Sequence, residues 1–178
     1  MTIDAPVAAS LAAVGSLMNA ANDPWWIIAG AAVALHGADP GRVADVDVLL
    51  SVGDAKRLLP QIGIVPRRGP VHADFRSSLF ATWAAPPLPV EFMAGFRHRS
   101  GRTWRPVLPI TREAITLDDI TVFVPARDEL CRMLRGFGRP KDIERASRLA
   151  ALAFSGNSGR LASGLSTTDA PPRRAPQR

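Results

Sequence analysis

Two aspartates, Asp45 and Asp47, are the residues of this chain whose types and spacing are best suited to chemistry. They belong to an apolar stretch, Val43 to Leu50, that we predict as a β-strand, in which residues two apart project from the same face. Their α-carbons would be about 6.7 Å apart, and such a pair can flank two divalent metal ions about 3.5–4 Å from each other. About one Asp-x-Asp pair is expected by chance in a chain of this composition. The neighbouring residues must therefore decide whether this pair indicates a metal site.

The residues before this pair indicate a phosphate site. Trp25 to Ala29 is predicted as a buried strand, Gly30 allows a sharp turn, and Ala31 to His36 is predicted as a helix that Gly37 ends. The first N–H groups of a helix have no partner within the helix and can bind a phosphate. The sequence therefore predicts a phosphate site one short loop away from a pair of carboxylates.

A third acidic residue, Glu91, is the one charge in the predicted strand Leu88 to Phe96. This strand is predicted to form a hairpin with Phe75 to Trp83. A charge that is buried on such a strand must be paired, hydrated or bound to a metal. An edge strand with Glu91 in water explains the sequence equally well, so both interpretations stay open on the residues alone.

The pattern of a strand, Gly30-Ala31, a short helix and Asp45-Val46-Asp47 resembles the nucleotidyltransferase superfamily, which includes DNA polymerase beta and the kanamycin and lincosamide nucleotidyltransferases. That family has Gly-Gly or Gly-Ser before the helix and Asp-x-Asp or Asp-x-Glu in the next strand. Glu91 matches its third carboxylate. The segment Arg139-Pro140-Lys141-Asp142 resembles the Arg-x-Lys-Asp ending of small stand-alone prokaryotic members, including abortive-infection toxins. The resemblance covers roughly residues 24 to 153.

The resemblance implies an α/β (α+β) fold, with a mixed β-sheet flanked by helices and a C-terminal pair of helices. It also implies transfer of a nucleoside monophosphate from an NTP, such as ATP, to a hydroxyl of an acceptor. Asp45, Asp47 and Glu91 would be the catalytic residues and the ligands of Mg²⁺ or Mn²⁺. The acceptor stays open among a small molecule, tRNA and a protein, because loops outside the motifs determine it.

The phosphate-binding residues that the resemblance implies are Gly30, Ala31 and Lys141. Ala31 stands where the family has a second glycine or a serine. Leu134 occupies a position at which many small members have a lysine, and Arg135 beside it would point about 100° away on a helix. These departures favour the alternative of a catalytically inactive binding or partner module, for example of a toxin–antitoxin pair, whereas the complete carboxylate set favours an enzyme.

The last predicted helix runs from Arg139 to Phe154. Lys141 in its first turn opposes the helix dipole, so it needs a negative partner, either Asp142 or a ligand phosphate. The other predicted helices are Ala8–Asn22, Ser51–Leu59 and Pro125–Leu134, and the other predicted strands are Val107–Ile110 and Ala114–Val124. The adjacent aspartates 118 and 119 are interpreted as turn formers.

The chain has a net charge of +6, of which half lies in the last 24 residues. The remaining charge is weak support for a nucleic-acid surface. The basic segment Arg97 to Arg105 could bind phosphates with Trp104 stacked on a base, but we favour a solvated hairpin tip. Residues 1–154 are predicted to form the nucleotidyltransferase domain, and residues 155–178 a disordered basic tail.

The predicted location is the cytoplasm. Cys131 is the one cysteine, which excludes an intramolecular disulfide and suits a reducing compartment, where it is interpreted as a small buried hydrophobic residue. The apolar N-terminal region lacks the basic residues that begin a signal peptide. No apolar run has the length of a membrane span, so we expect no membrane partner.

Overall fold

The computed structural model describes residues 3–155 of the chain. The helices of this part are α1 (Ala5–Met18), α2 (Ala29–Leu35), α3 (Val52–Leu58), a 3-10 turn (Leu59–Ile62), α4 (Arg127–Phe137) and α5 (Pro140–Ser155). Its strands are β1 (Trp26–Ile28), β2 (Val46–Leu50), β3 (Phe75–Arg76), β4 (Leu79–Trp83), β5 (Val90–Ala94), β6 (Arg97–Ser100), β7 (Thr103–Pro106), β8 (Glu113–Leu117) and β9 (Ile120–Val124). The tail was predicted at residues 155–178, and from residue 156 onward it lies outside the described residues.

A four-stranded mixed sheet in the order β1-β2-β5-β4 forms the centre of the fold. Strands β2 and β5 run parallel, while β1 and β4 are antiparallel to their neighbours. Val46, Val48 and Leu49 of β2 are buried, as expected for a central strand that is covered on both faces. The predicted mixed sheet flanked by helices is confirmed.

Helix α1 packs an apolar stripe chiefly on a separate two-stranded sheet, β8-β9, and also on β2 of the central sheet. Helix α1 packs against β9, and its buried residues Val7, Leu11, Val14 and Met18 recur every three or four positions. Each such side chain contributes about 1.5–3 kcal/mol when it is buried rather than exposed. Helices α4 and α5 pack on each other, so the predicted C-terminal helical pair is confirmed.

Two strand predictions were wrong. The predicted strand Phe75 to Trp83 is broken at residues 77 and 78, so that β3 joins a second sheet in the order β3-β6-β7. The predicted strand Val107 to Ile110 is not a strand, and Leu108 and Ile110 are 70% and 94% exposed. The N–H groups of Ile110 and Thr111 donate to the Glu129 carboxylate at 2.8 Å each, so a side chain takes the place of a strand partner.

Several local predictions were right because they depended on single residues. Gly37 has a φ of +85° just after α2, and Asp118 has a φ of +49° in the turn between β8 and β9. The Ser51 hydroxyl caps α3 by accepting from the N–H of Asp54 at 3.0 Å. Cys131 is buried and unpaired. Within residues 3–155, the helices are all too short or too polar to cross a bilayer.

Candidate active site

Asp47 and Glu91 are direct neighbours on the parallel strands β2 and β5. Asp47 also lies opposite Ile28, the last residue of β1. The prediction that Asp45 belongs to the same strand was wrong, because β2 begins at Val46 and Asp45 occupies a bend just before it. The reason is that β5 pairs with β2 only from Val46 onward, which leaves the preceding residues without a strand neighbour. Asp45 nevertheless remains close to both acids.

The charges of these three carboxylates act on one another. The pKa of Asp47 is raised to about 7, chiefly by burial and then by the charges of Asp45 and Glu91, while Arg139 and Lys141 counteract. Part of the Asp47 surface stays accessible from a cavity, but its carboxyl lies deep enough for burial to be the main cause. Burial and the charge of Asp45 likewise raise the pKa of Glu91, and Lys141 opposes them. The three acids therefore form one electrostatic unit with two nearby cations.

Within residues 3–155, none of these three carboxylates has a hydrogen-bond or ion-pair partner. Half-buried acids without partners are costly unless a cation neutralises them, and carboxylate oxygens are the ligands that Mg²⁺ and Mn²⁺ prefer. The donor chemistry therefore fits a divalent cation. The side chains do not yet converge on one point, since no three His, Cys, Asp or Glu of the described part are gathered as a ligand set.

Asp142 already has a cationic partner, and that partner is Arg139. The buried Asp142 carboxylate accepts from Arg139 Nε at 2.5 Å and from Arg139 Nη2 at 3.2 Å. Lys141 is exposed and forms no ion pair within the described residues. Of the two partners predicted for Lys141, Asp142 is thus taken by Arg139, and the negative charges on which Lys141 acts in the described residues include those of Asp47 and Glu91.

The turn between β1 and α2 is made by Ala29 and not, as predicted, by Gly30. Ala29 has a φ of +53°, a conformation that is uncommon for residues other than glycine. Gly30 has helical geometry inside α2, and a β-carbon there would lie 2.7 Å from Nη2 of Arg145. The missing side chain of Gly30 therefore makes room for a guanidinium. Ala31 is buried directly after it.

Arg145 is the site residue that the sequence interpretation missed. It is only 8% exposed, and it donates from Nε to the carbonyl of Pro40 and from Nη2 to the carbonyl of Arg42, at 2.9 Å each. It thereby connects α5 to the loop that leads into Asp45. No carboxylate pairs with it in the part of the chain that the structure describes.

A signal for Arg145 was present in the spacing of helix α5. Its buried stripe consists of Asp142, Arg145, Ala146 and Leu149, which are three or four positions apart. Ile143 is apolar but lies outside this stripe, and it is 43% exposed. Because two of the four residues in this stripe are charged, apolar periodicity alone does not identify it.

Two cavities of opposite character flank the carboxylates. The first, which we name the apolar cavity, has a volume of about 230 Å³ and reaches Asp47, Glu91 and Arg139, with Phe75, Phe96 and Phe137 among its walls. The second, the basic cavity, has a volume of about 480 Å³ and lies beside Asp45. Its cationic lining residues are Arg42, Lys141, Arg145 and Arg148. The carboxylates thus lie between the basic cavity, which can attract an anion, and the apolar cavity, which has aromatic walls.

The fold matches solved structures of nucleotidyltransferases. No family model matches the chain, and no curated protein is significantly similar to it in sequence. A presumed nucleotidyltransferase from Thermotoga maritima superposes with a TM-score of 0.58 at 17% identity, covering 84% of this chain and 91% of that chain. The lincosamide adenylyltransferase LnuA, bound to lincomycin, gives 0.52 at 9% identity and covers 79% and 94%. ANT(2'')-Ia in complex with adenylyl-2''-tobramycin gives 0.50 at 12% identity and covers 84% and 91%. At these identities the likeness establishes the nucleotidyltransferase fold.

Proposed function

We propose that the protein transfers a nucleoside monophosphate from an NTP to a hydroxyl and releases pyrophosphate. The observation that carries this proposal is the placement of Asp47 beside Glu91 on parallel strands, with Asp45 two residues earlier and Lys141 near enough to act on both. The structural likeness to LnuA and ANT(2'')-Ia supports this class of reaction. Residues 1–154 would form the catalytic domain.

The carboxylates would hold Mg²⁺ or Mn²⁺. Asp45, Asp47 and Glu91 are the proposed ligands. The pKa values of Asp47 and Glu91 are raised, and none of the three carboxylates has a hydrogen-bond or ion-pair partner within the described residues. When bound, the metal supplies charge neutralisation at the phosphates and lowers the pKa of the attacking hydroxyl.

The phosphates of the NTP would occupy the basic cavity beside Asp45. Lys141 is the strongest candidate for contacting them, since it has no ion pair in the described part of the chain. The buried guanidinium of Arg145 lies against Gly30 in the first turn of α2 and is held by the carbonyls of Pro40 and Arg42. A bound phosphate would accept from the start of α2, with Gly30 and Ala31 as the proposed backbone donors.

The acceptor would approach from the apolar cavity. Its hydroxyl oxygen attacks the α-phosphorus, the new P–O bond forms, and the bond to the β-phosphate oxygen breaks to release pyrophosphate. Glu91 lines this cavity, and its raised pKa suits a group that accepts the hydroxyl proton. Arg139, at the same wall and held by Asp142, would orient the acceptor or stabilise charge at the phosphate.

The alternative of an inactive module gains no support from the two departures in sequence. Leu134 is fully buried in the core and Arg135 is exposed, and neither lines the apolar or the basic cavity. Ala31 keeps the backbone N–H that a phosphate would need.

The test is label transfer from each NTP labelled at the α-phosphate, with Mg²⁺ or Mn²⁺ and a cell extract as the source of acceptor. Asp45→Asn and Asp47→Asn should abolish transfer and weaken binding of Mg²⁺-NTP measured by calorimetry. Asp119→Asn is the matched control, because Asp119 is exposed and has no ion pair among the described residues. Parent-like Mg²⁺-NTP binding by both site variants would favour the inactive module.

A further inference from the structure

Within residues 3–155, the positive charge is concentrated in one segment. Residues 67–105 contain seven arginines against only Asp74 and Glu91, a net charge of +5. The described residues as a whole have a net charge of only +3. The rest of this part is therefore slightly acidic, and the overall charge understates how basic the segment is. Concentration of this kind, rather than total charge, is typical of nucleic-acid surfaces.

Three of these arginines share one face of the β3-β6-β7 sheet with a tryptophan. Arg97 and Arg99 alternate with His98 on β6, while Arg76 lies opposite Arg97 and Trp104 lies opposite Arg99. We name this set, Arg76, Arg97, Arg99 and Trp104, the arginine face. The predicted solvated tip is thus a folded, ordered surface of this sheet.

The arginine face has more cations than its surroundings neutralise. All three arginines are exposed, and within the described residues only Arg99 has a carboxylate partner, Asp74 at 3.2 Å. Like charges directly opposite each other on a sheet, as Arg76 and Arg97 are, are destabilising without an anion between them. The Arg76 guanidinium lies 4.4 Å from the centroid of the Trp104 ring, so the face also offers flat surfaces for stacking.

The arginine face adjoins the candidate active site. A cavity of about 780 Å³ is lined by Arg68, Arg76, Arg97 and Trp104. It shares Pro70, His72, Arg76 and Ser77 with the apolar cavity that contains Asp47 and Glu91. The two cavities are therefore adjacent, with these four residues at their border.

We propose that a single-stranded nucleic acid, RNA or DNA, binds along the arginine face and presents its 3′ hydroxyl to Glu91 as the acceptor. The phosphates of the strand would bind the arginines, and its bases would stack on Trp104 and on the phenylalanine walls of the apolar cavity. Its terminal hydroxyl would donate to the Glu91 carboxylate. An anionic lipid or an acidic peptide would match the arginines alone. The acceptor role rests on the proposed function, whereas binding of the strand to the arginine face is independent of it.

The reaction balances without a further reactant. The 3′ oxygen of the strand attacks the α-phosphorus of the NTP, a phosphodiester bond forms, and the bond between the α-phosphorus and the β-phosphate oxygen breaks. Pyrophosphate leaves with the electron pair of that bond. The hydroxyl proton passes to Glu91 and then to water, and the strand becomes one nucleotide longer.

The binding test uses the full chain without NTP or metal. Short RNA and DNA strands of the same sequence, labelled with fluorescein at the 5′ end, are titrated by fluorescence anisotropy at several salt concentrations. The double variant Arg76→Gln/Arg97→Gln should bind the preferred strand at least about tenfold more weakly at low salt, and its salt dependence should be less steep because two phosphate contacts are lost. Trp104→Leu should weaken binding at least about fivefold through lost stacking.

The matched control is Lys56→Gln/Arg132→Gln, which removes two exposed cations that have no ion pair among the described residues. It should bind strands like the parent. Circular dichroism and melting temperature verify that every variant is folded. Equal affinity of the two double variants overturns the inference even if NTP binds as proposed. Tighter binding to vesicles of phosphatidylglycerol than to either strand overturns it in favour of a membrane surface.

The acceptor role is tested by extension of the same strands with each NTP and Mg²⁺ or Mn²⁺. We expect a product one nucleotide longer, from RNA or from DNA, and no product from a strand that ends in a 3′-deoxynucleotide. If Mg²⁺-NTP binds but neither strand is extended, or if the 3′-deoxy strand is labelled equally well, the acceptor role is overturned and the proposed function still stands. If Mg²⁺-NTP does not bind, the proposed function fails while binding along the arginine face is judged separately.

Discussion

The protein contains two regions of crowded like charge that differ in burial. At the central sheet, Asp45, Asp47 and Glu91 are partly buried, and burial, followed by the charges of Asp45 and Glu91, raises the pKa of Asp47 to about 7. On the arginine face, Arg76 and Arg97 are exposed, and an arginine stays charged at any physiological pH. Repulsion between buried acids can be relieved by protons or metal ions, whereas repulsion between exposed arginines is relieved by salt or a polyanion. The acid region should thus respond to pH and the arginine face to ionic strength.

The largest expected effect concerns catalysis in the acid region. Glu91→Gln removes the proposed proton acceptor while keeping its shape, so transfer should fall by about 100-fold or more. Binding of Mg²⁺-NTP should change much less, because Glu91 is on the acceptor side of the site. Steady-state rates and calorimetry separate the two quantities. Full transfer activity in Glu91→Gln would show that Glu91 is not needed for the reaction, and Asp45 and Asp47 would then be the only proposed catalytic acids.

The second prediction concerns the stability of the metal-free protein. The pKa of Asp47 is higher in the folded state, about 7, than the ordinary value of 3.8, so the folded state binds more protons between these values. The free energy of unfolding should therefore decrease as pH rises from about 4 to 7, and the decrease should be complete above pH 7. Asp47→Asn should melt several degrees higher than the parent at pH 8 and nearly equally at pH 4, in buffer with a chelator.

Asp119→Asn is the control for this comparison, since its exposed carboxylate should give no such pH-dependent difference. Mg²⁺ together with NTP should stabilise the parent and the control but not Asp47→Asn. A difference between parent and Asp47→Asn that does not change from pH 4 to pH 8 would contradict the raised pKa of the Asp47 carboxyl.

The third prediction tests whether Arg145 belongs to the acid region. Gly30→Ala places a β-carbon 2.7 Å from Nη2 of Arg145, so the guanidinium must move away from the loop carbonyls that it holds. We expect a loss of about 1–2 kcal/mol in the free energy of unfolding and weaker NTP binding. Gly136→Ala is the control, because a β-carbon there meets nothing within 4 Å. Unchanged NTP affinity in a folded Gly30→Ala protein would place the phosphates elsewhere.

The smallest expected effect concerns the arginine face. Arg97→Gln should raise the free energy of unfolding by about 0.2–1 kcal/mol at low salt, because it removes a like charge opposite Arg76. The gain should disappear at high salt, where screening already weakens the repulsion. Chemical denaturation at two salt concentrations measures it. A gain that is equal at both would mean that packing, and not charge, distinguishes the variant.

The local features of the fold were predictable because each depends on a short stretch of chain. The Ser51 cap, the turn at Asp118, the helix end at Gly37 and the two C-terminal helices all follow from residue type or periodicity. The three acids were also predicted as one set, through a motif and through the isolation of Glu91 on an apolar strand, and the structure places them within reach of each other's charge. Their binding of metal remains a prediction.

Other features could not be predicted because they arise from contacts between distant parts of the chain. The sequence by itself determined the identity of the acids, the mixed sheet and the helical pair, since these follow from local pattern and family resemblance. Only the tertiary structure decided that Asp47 pairs with Glu91, that Arg145 is buried over Gly30, and that scattered arginines gather on one face. The physical reason is that strand register and helix packing are set by the whole core, and a local pattern contains no information on which residues that core brings together.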